Sequence, residues 1–142
     1  MLFTGSAYNA TFTNVNIVNA RVNTALSTFT QYSNADNYQN IYYKLSDWSL
    51  EGIECTGPYT CFAVSFSHLP INATVVDSIS YNNGTAGLLQ FLVPTADTIE
   101  ISNVNVENVG LPTNAVNLFA FTIYHTVSAL SKVSLSNITV ER

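Results

Sequence analysis

Charged side chains are scarce in this sequence of 142 residues, and basic side chains are the scarcest of all. Only 9% of the residues are charged, and four Lys and Arg against nine Asp and Glu give a net charge of −5. Arg21, Lys44, Lys132 and Arg142 are scattered along the chain. Because nucleic acids and anionic membranes are bound by clustered basic residues, the sequence argues against both as partners.

Long apolar runs are missing as well, although 47% of the residues are hydrophobic and can supply a core. No run approaches the roughly 20 residues of a membrane-spanning helix. The first residues, MLFTGSAYNATFTN, lack the basic stretch and the long apolar segment of a secretory signal. We therefore expect no membrane span, and we expect any export signal to lie upstream of these residues or to have been removed.

The sequence has only two cysteines, Cys55 and Cys61, which flank a short segment containing Gly57 and Pro58. Such a segment forms a tight turn, and we predict a disulfide between the two sulfurs. The alternatives are two unlinked thiols, or a Cys61 that is buried as a small apolar side chain. No second Cys or His pair stands at the spacing of a metal site.

One six-residue pattern recurs five times: apolar, polar, Asn-like, apolar, polar, apolar. Its alternation on both sides of two consecutive polar residues predicts two short strands separated by a corner. Asn is the non-glycine residue that most readily adopts a left-handed backbone, and it suits such a corner. The copies span residues 12–17, 45–50, 76–81, 101–106 and 135–140, with Asn14, Asp47, Ser78, Asn103 and Asn137 at the corner.

A second pattern, an alternating run that ends on Phe, separates these copies at residues 26–29, 62–66, 88–91 and 118–121. Together the patterns predict an all-β fold, a right-handed parallel β-helix of about five coils with about 30 residues and three short strands per coil. Residues 1–142 then form one domain or a segment of a longer one, with residues 1–9 as a partial lid or linker. The alternative is an antiparallel β-sandwich, which also contains short alternating strands.

The corner pattern resembles the pectin-lyase-like family of right-handed β-helices, in which Asn residues stack as a ladder at this corner. The resemblance is one of architecture and covers about residues 10–142. Asp47 and Ser78 depart from the Asn preference, so we expect interruptions of the ladder there. The residues predicted to be buried in register are Val15, Ile17, Trp48, Leu50, Ile79, Tyr81, Val104, Val106, Ile138 and Val140.

Four Asn-X-Ser/Thr sequences are candidate N-glycosylation sites, at Asn9, Asn72, Asn83 and Asn137. Asn83 precedes Gly84 in a turn after a strand, Asn72 follows Pro70 in a loop, and both should be exposed. Asn137 holds a corner position, where its amide should be turned inward or occupied. We therefore expect glycan at Asn72 and Asn83 first, at Asn9 next and at Asn137 last.

Catalytic groupings are missing from the sequence. Pectate lyases of the resembling family need a carboxylate cluster for calcium with a basic residue, and polygalacturonases need grouped aspartates with a His; neither grouping is present. Glu51, Glu107 and Glu141 should face solvent at equivalent positions, and Asp97 and Glu100 should flank a strand entrance. His68 and His125 are expected at the surface, without a nucleophile in a recognisable motif. We predict no enzyme activity, no cofactor and no metal.

A tyrosine cluster at Tyr38, Tyr42 and Tyr43 has two interpretations. The residues either stack on sugar rings or belong to the fold, with Tyr43 in the core and Tyr42 on a loop, and we favour the second.

These observations predict a non-catalytic structural protein, secreted or at the cell surface, that is a glycosylated filament, fibre or adhesin segment. Its partners would be N-linked glycans and either further coils of the same chain or other subunits joined end to end, and carbohydrate stays open as a ligand. One alternative is a polysaccharide-binding or polysaccharide-cleaving β-helix whose active residues lie elsewhere. Another is a pilin-like sandwich in which residues 10–22 complete a neighbour's sheet.

Overall fold

A computed structural model describes residues 9–30, 42–59, 61–67, 70–92, 95–110, 118–122 and 132–141. These residues contain β-strands and no helix. The strands are β1 (Asn9–Val18), β2 (Arg21–Val22), β3 (Ala25–Thr30), β4 (Tyr42–Glu51), β5 (Glu54–Cys55), β6 (Phe62–Ser67), β7 (Pro70–Asn82), β8 (Gly87–Leu92), β9 (Thr95–Glu107), β10 (Phe119–Thr122) and β11 (Lys132–Glu141).

The strands form three parallel sheets. The first sheet has the order β1-β4-β7-β9-β11, the second has the order β3-β6-β8-β10, and a short sheet pairs β2 with β5. Every strand pair in the described part of the chain is parallel. The all-β prediction is therefore confirmed, and the described strands do not pair in the antiparallel way that the sandwich alternative requires.

Both sequence patterns align in register, as the alternation predicts. In the first sheet Val15 pairs with Trp48, Trp48 with Ile79, Ile79 with Val104 and Val104 with Ile138. In the second sheet the Phe positions pair in the same way, through Phe29, Phe66, Phe91 and Phe121. Register is specified this strongly because a slip of one residue would turn every buried side chain outward.

The sequence pattern predicted two short strands separated by the corner, whereas the corner bends the strand and does not end it. Each copy of the first pattern lies within one continuous strand of 10 or 13 residues. A single left-handed residue bends the strand, while pairing continues on both sides of it, as at Thr13↔Ser46 and Val15↔Trp48. The bend redirects the backbone without ending the sheet.

Aromatic rings fill the space between the sheets. Phe29 and Phe66 stack with their ring centroids 5.1 Å apart, and Phe66 and Phe91 stack at 4.9 Å. Tyr43 is fully buried beside them, which agrees with its assignment to the core, whereas Tyr42 is 37% exposed. Tyr38 lies outside the described residues.

Burial falls off at the outer strands of the first sheet. Of the ten residues predicted to be buried, Trp48, Leu50, Ile79, Tyr81, Val104 and Val106 are buried. Val15, Ile17 and Ile138 are only half-buried, and Val140 is 61% exposed. These four residues belong to β1 and β11, each of which has a neighbouring strand of the sheet on one side only. Their greater exposure therefore follows from their position in the sheet and not from the type of side chain.

Candidate functional site

The residues predicted for the corner all adopt the left-handed conformation. The φ angle is 58° at Asn14 and Asp47, 57° at Ser78, 53° at Asn103 and 52° at Asn137. Each lies between residues that pair in register across the first sheet, so the five form one row. The backbone row therefore continues through Asp47 and Ser78.

Side-chain hydrogen bonds link this row across the later strands. The Asn137 Nδ2 donates to Asn103 Oδ1 at 2.9 Å, and the Asn103 Nδ2 donates to Asp77 Oδ1 at 2.8 Å. Asp77 Oδ1 also accepts from Ser102 Oγ at 3.0 Å. Where Ser78 occupies the corner, the preceding residue Asp77 thus supplies the acceptor. The Asn137 amide is occupied, as expected, but it is exposed at the surface and not turned inward.

A similar link joins the first two strands of the row. Thr13 Oγ1 donates to Asp47 Oδ2 at 3.2 Å, and Ser46 Oγ donates to Thr13 Oγ1 at 3.2 Å. The acceptor of the first bond is the Asp47 carboxylate, and a bond between the uncharged hydroxyls contributes about 1 kcal/mol. The corner thus carries a polar seam through β7, β9 and β11 and a separate polar link between β1 and β4.

The Asp77 carboxylate makes this seam sensitive to acid. The hydrogen bonds from Asn103 and Ser102 hold the pKa of Asp77 below its usual value of 3.8. Because the folded pKa lies below the unfolded pKa, the stabilisation is present above pH 3.8 and is lost as the pH falls through the folded value.

We expect Asn103→Gly to lower the free energy of unfolding at pH 7 by about 1–2 kcal/mol, because it removes the amide bond to Asp77 and the bond that Asn103 Oδ1 accepts from Asn137. Glycine keeps the left-handed backbone, and its effect on the unfolded chain does not depend on pH. The difference from the native chain should therefore shrink below pH 3.8, as followed by urea unfolding from pH 7 to pH 2.5. Asn108→Gly is the control, because Asn108 is exposed, has a left-handed backbone with a φ angle of 52°, and does not act on the pKa of Asp77. A difference that stays constant with pH would contradict the role of Asp77.

A second row of left-handed residues follows the first and was missed by sequence reasoning. The φ angle is 55° at Asn19, 63° at Gly52, 53° at Asn83 and 52° at Asn108. Each residue follows the end of a strand of the first sheet, five positions after a first-corner residue. That constant spacing of Asn or Gly is the signal that could have revealed the second corner.

Backbone hydrogen bonds tie the second corner to the next strand. The N–H groups donate at 2.8–3.0 Å to the carbonyl of the last residue of the neighbouring strand, with the pairs Asn19 to Glu51, Gly52 to Asn82, Asn83 to Glu107 and Asn108 to Glu141. Gly52 occupies the position that Asn holds in the other members of this row, and a Cβ there would lie 2.6 Å from Oδ1 of the exposed Asn19 side chain, which can move aside. Both corners therefore recur at equivalent positions along the first sheet.

The structure contains the predicted disulfide between Cys55 and Cys61, with an S–S distance of 2.05 Å and Cα atoms 5.5 Å apart. The loop that it closes lies against the end of β2, where Thr56 N–H donates to Val22 O at 2.7 Å. A Cβ on Gly57 would lie 2.2 Å from the carbonyl oxygen of Asn23, so backbone contacts backbone at this point. Tyr59 in the same loop is 80% exposed.

Three of the four candidate glycosylation asparagines have described side chains, and all three are exposed: Asn9 at the start of β1, Asn83 at the second corner and Asn137 at the first. Asn83 is thus a corner residue in its own right. The hydroxyl of Thr85, the third residue of its sequon, accepts the Cys55 N–H at 2.9 Å. The side chain of Asn72 is not among those that the structure describes. Asn72 was predicted to lie in a loop, but it belongs to β7.

The carboxylates are spread over the surface. Glu51, Glu107 and Glu141 do share one row, where Glu51 and Glu141 are exposed and Glu107 is half-buried. Asp97 and Glu100 lie within β9 and do not flank its entrance, which corrects the prediction. His68 and His125 lie outside the described residues.

Within the described ranges, no three His, Cys, Asp or Glu side chains group in a way that could hold a metal ion. The same residues include no helix of the length and hydrophobicity that a membrane crossing requires. Comparison of the chain with protein-family models, with curated proteins and with solved structures finds no match.

Proposed function

We propose that the chain is a segment of a right-handed parallel β-helix with a structural, non-catalytic role in an extracellular or cell-surface fibre, filament or adhesin. The observation that carries the proposal is the recurrence of one bent strand, with a left-handed residue at the same point, in five parallel neighbours. After each visit to the second sheet the chain returns to the first sheet beside its previous strand. That path is the path of a helical coil.

The handedness follows from a general rule. Connections between parallel strands of one sheet are right-handed in nearly all proteins, because twisted strands favour that crossover. Strands stacked about 4.8 Å apart in one direction make a stiff object whose length grows with the number of coils. A fibre or adhesin stalk uses that stiffness, and further coils of the chain or joined subunits would extend it.

The extracellular location is supported by two features. The Cys55–Cys61 disulfide is of a kind that persists in oxidising compartments, and four sequons are available for N-linked glycans. Carbohydrate binding by stacked aromatic residues has less support. The exposed tyrosines with described side chains belong to different elements, because Tyr42 lies on the strand β4 and Tyr59 lies in a loop. We therefore propose a structural role for the chain in preference to carbohydrate binding.

The glycans should follow the order predicted from the sequence, with Asn72 or Asn83 occupied before Asn137. The Asn137 Nδ2, to which a glycan would be attached, donates to Asn103 in the polar seam. Glycopeptide mass spectrometry of the chain secreted from a glycosylating host measures occupancy at each site. Asn83→Gly is a suitable control, because glycine keeps the left-handed corner and removes the attachment point. Full occupancy of Asn137 beside an empty Asn83 would refute this order.

Electron microscopy of the particle that carries the chain tests the function. An elongated rod with strands perpendicular to its axis, rising about 4.8 Å per coil, is the expected result. Finding the chain inside a compact enzyme, with a substrate bound against its strands, would exclude the structural role.

A further inference from the structure

The sequon formed by Asn83, Gly84 and Thr85 presents its two functional groups differently. The Asn83 side chain is exposed, whereas Thr85 is half-buried and its Oγ1 accepts the Cys55 N–H at 2.9 Å. Thr85 N–H also donates to Ile53 O at 2.9 Å. Because the acceptor sequence requires a Ser or Thr two residues after Asn, that hydroxyl is part of what a glycosyltransferase recognises. In the folded chain it is engaged by a neighbouring backbone segment.

The backbone of the sequon is also fixed from its other side. Asn83 N–H donates to Glu107 O at 3.0 Å. The Gly110 N–H donates to Gly84 O at 2.9 Å. Gly84 is buried against the Tyr81 ring, where an added Cβ would clash with the ring. The three residues of the sequon therefore cannot leave the surface as an extended segment unless bonds to two neighbouring parts of the chain break together.

We propose that Asn83 receives a glycan only before residues 53–55 dock against the sequon, so that the modification precedes folding of this part of the chain. The inference rests on the proposed extracellular function and specifies when the glycan is added. A transferase must hold the Asn amide and the Thr hydroxyl together, and the docked hydroxyl does not allow this. The glycan is compatible with the finished fold, because the Asn83 side chain is exposed at the second corner.

The transfer joins the Asn83 side chain to a sugar. The donor is an oligosaccharide that is linked through a diphosphate to a lipid. The bond between Asn83 Nδ2 and the sugar C1 forms, and the bond between C1 and the diphosphate oxygen breaks. The amide gives up one proton, and the lipid diphosphate leaves with the electron pair of the broken bond.

The Cys55–Cys61 disulfide makes the closed sequon durable. Cys55 carries the N–H that engages Thr85, and the disulfide loop is also bonded to β2, where Thr56 N–H donates to Val22 O at 2.7 Å. A cross-linked loop has fewer open conformations available to it than a free one. The sequon should therefore stay closed once the disulfide has formed, and a site that is empty by then should stay empty.

Glycan transfer to the purified chain tests the order of events. Full-length chain from a host without N-glycosylation, with its disulfide intact, is mixed with oligosaccharyltransferase and the lipid-linked donor. The same chain, reduced, alkylated at both cysteines, unfolded in urea and diluted into the same mixture, gives the reference rate. We expect the folded chain to be modified at Asn83 about a hundredfold more slowly, because several hydrogen bonds must break together. Mass spectrometry of the peptide that contains Asn83 measures both rates, and Asn83→Gln gives the background.

Two glycine variants test whether the closed sequon is the cause of the slow rate. Gly84→Ala keeps the acceptor sequence but places a Cβ against the Tyr81 ring, so the ratio of folded to unfolded rate should rise about tenfold or more. Gly110→Ala keeps the N–H bond to Gly84 and adds a Cβ that meets nothing within 4 Å, so its ratio should equal that of the native chain. Dividing by the unfolded rate of each variant removes the preference of the transferase for the middle residue.

Hydrogen exchange in β4, β7 and β9 shows whether each variant is folded. If Gly84→Ala does not fold, the double variant Cys55→Ser and Cys61→Ser takes its place, because it frees the loop and keeps the sequon. Its ratio should also exceed that of the native chain.

Equal rates for the folded and unfolded native chain would overturn the inference, and so would a ratio that the folded opening variant does not raise. A chain that is modified at Asn83 in neither state would overturn it as well. None of these results rejects the structural function, which the shape of the particle tests separately. A compact enzyme particle in electron microscopy would instead reject the fibre and leave the measured ratio of rates unchanged.

Discussion

Replacing Gly84 with Ala should destabilise the protein by about 3 kcal/mol or more, at the upper end of the range for an overpacked core. A Cβ on Gly84 would lie 2.1 Å from the Tyr81 Oη, 2.5 Å from Cζ and 2.6 Å from Cε2. The ring cannot move aside, because Tyr81 is fully buried and its hydroxyl donates to Ala86 O at 2.7 Å. That burial also raises the pKa of Tyr81 to about 12.

Gly110→Ala is the matched control for this substitution. Gly110 lies at the equivalent position after β9, where its N–H donates to Gly84 O at 2.9 Å, yet a Cβ there meets nothing within 4 Å. Urea unfolding should therefore show a change within about 0.5 kcal/mol for Gly110→Ala. A smaller cost of Gly84→Ala in a Tyr81→Leu background would assign the effect to the ring, and equal costs in both backgrounds would contradict the assignment.

The part of the fold that depends on side-chain alternation could be predicted from the sequence. Positions such as Ile79 and Val104 repeat with a strand period on either side of one polar corner, and a repeat in constant order fixes both direction and register. The left-handed corner could be predicted for the same reason, because Asn is over-represented at one position of the pattern. A disulfide across Gly57 and Pro58 followed from local geometry alone.

The second corner could not be separated from ordinary loops by composition. Asn19, Asn83 and Asn108 resemble turn asparagines, and Gly52 breaks the series of identical residues. Only their constant distance from the first corner marks them, and that distance becomes meaningful once the strands are aligned. Because the second corner was missed, Asn83 was predicted to lie in a simple exposed turn.

Burial at the outer strands could not be predicted for a different reason. The alternation in β11 is as regular as in β9, so Val140 and Val106 look equivalent in the sequence. Their exposed fractions, 61% and 1%, differ because Val106 has a strand on both sides and Val140 on one. A periodic pattern indicates which face of a strand is apolar. Whether the side chains on that face are buried depends on how many neighbouring strands the sheet places beside it.

Phe66→Ala is expected to destabilise the protein by about 3–5 kcal/mol, because it removes the middle ring of the aromatic stack. Phe66 is fully buried, with the rings of Phe29 and Phe91 stacked on its two faces at 5.1 Å and 4.9 Å. The cavity would open beside three paired strands, where the backbone cannot close it without breaking the pairing of β3, β6 and β8.

Phe66→Leu keeps most of the volume and should cost about 1.5 kcal/mol or less in the same chemical denaturation experiment, although it loses the contact between rings. Tyr59→Ala removes an aromatic ring that is 80% exposed and should change stability by no more than about 0.5 kcal/mol. If Phe66→Ala and Tyr59→Ala proved equally mild, the Phe row would not hold the neighbouring strands together. A large cost for Phe66→Ala with a small cost for Phe66→Leu would assign the stabilisation to the volume that the ring fills between Phe29 and Phe91.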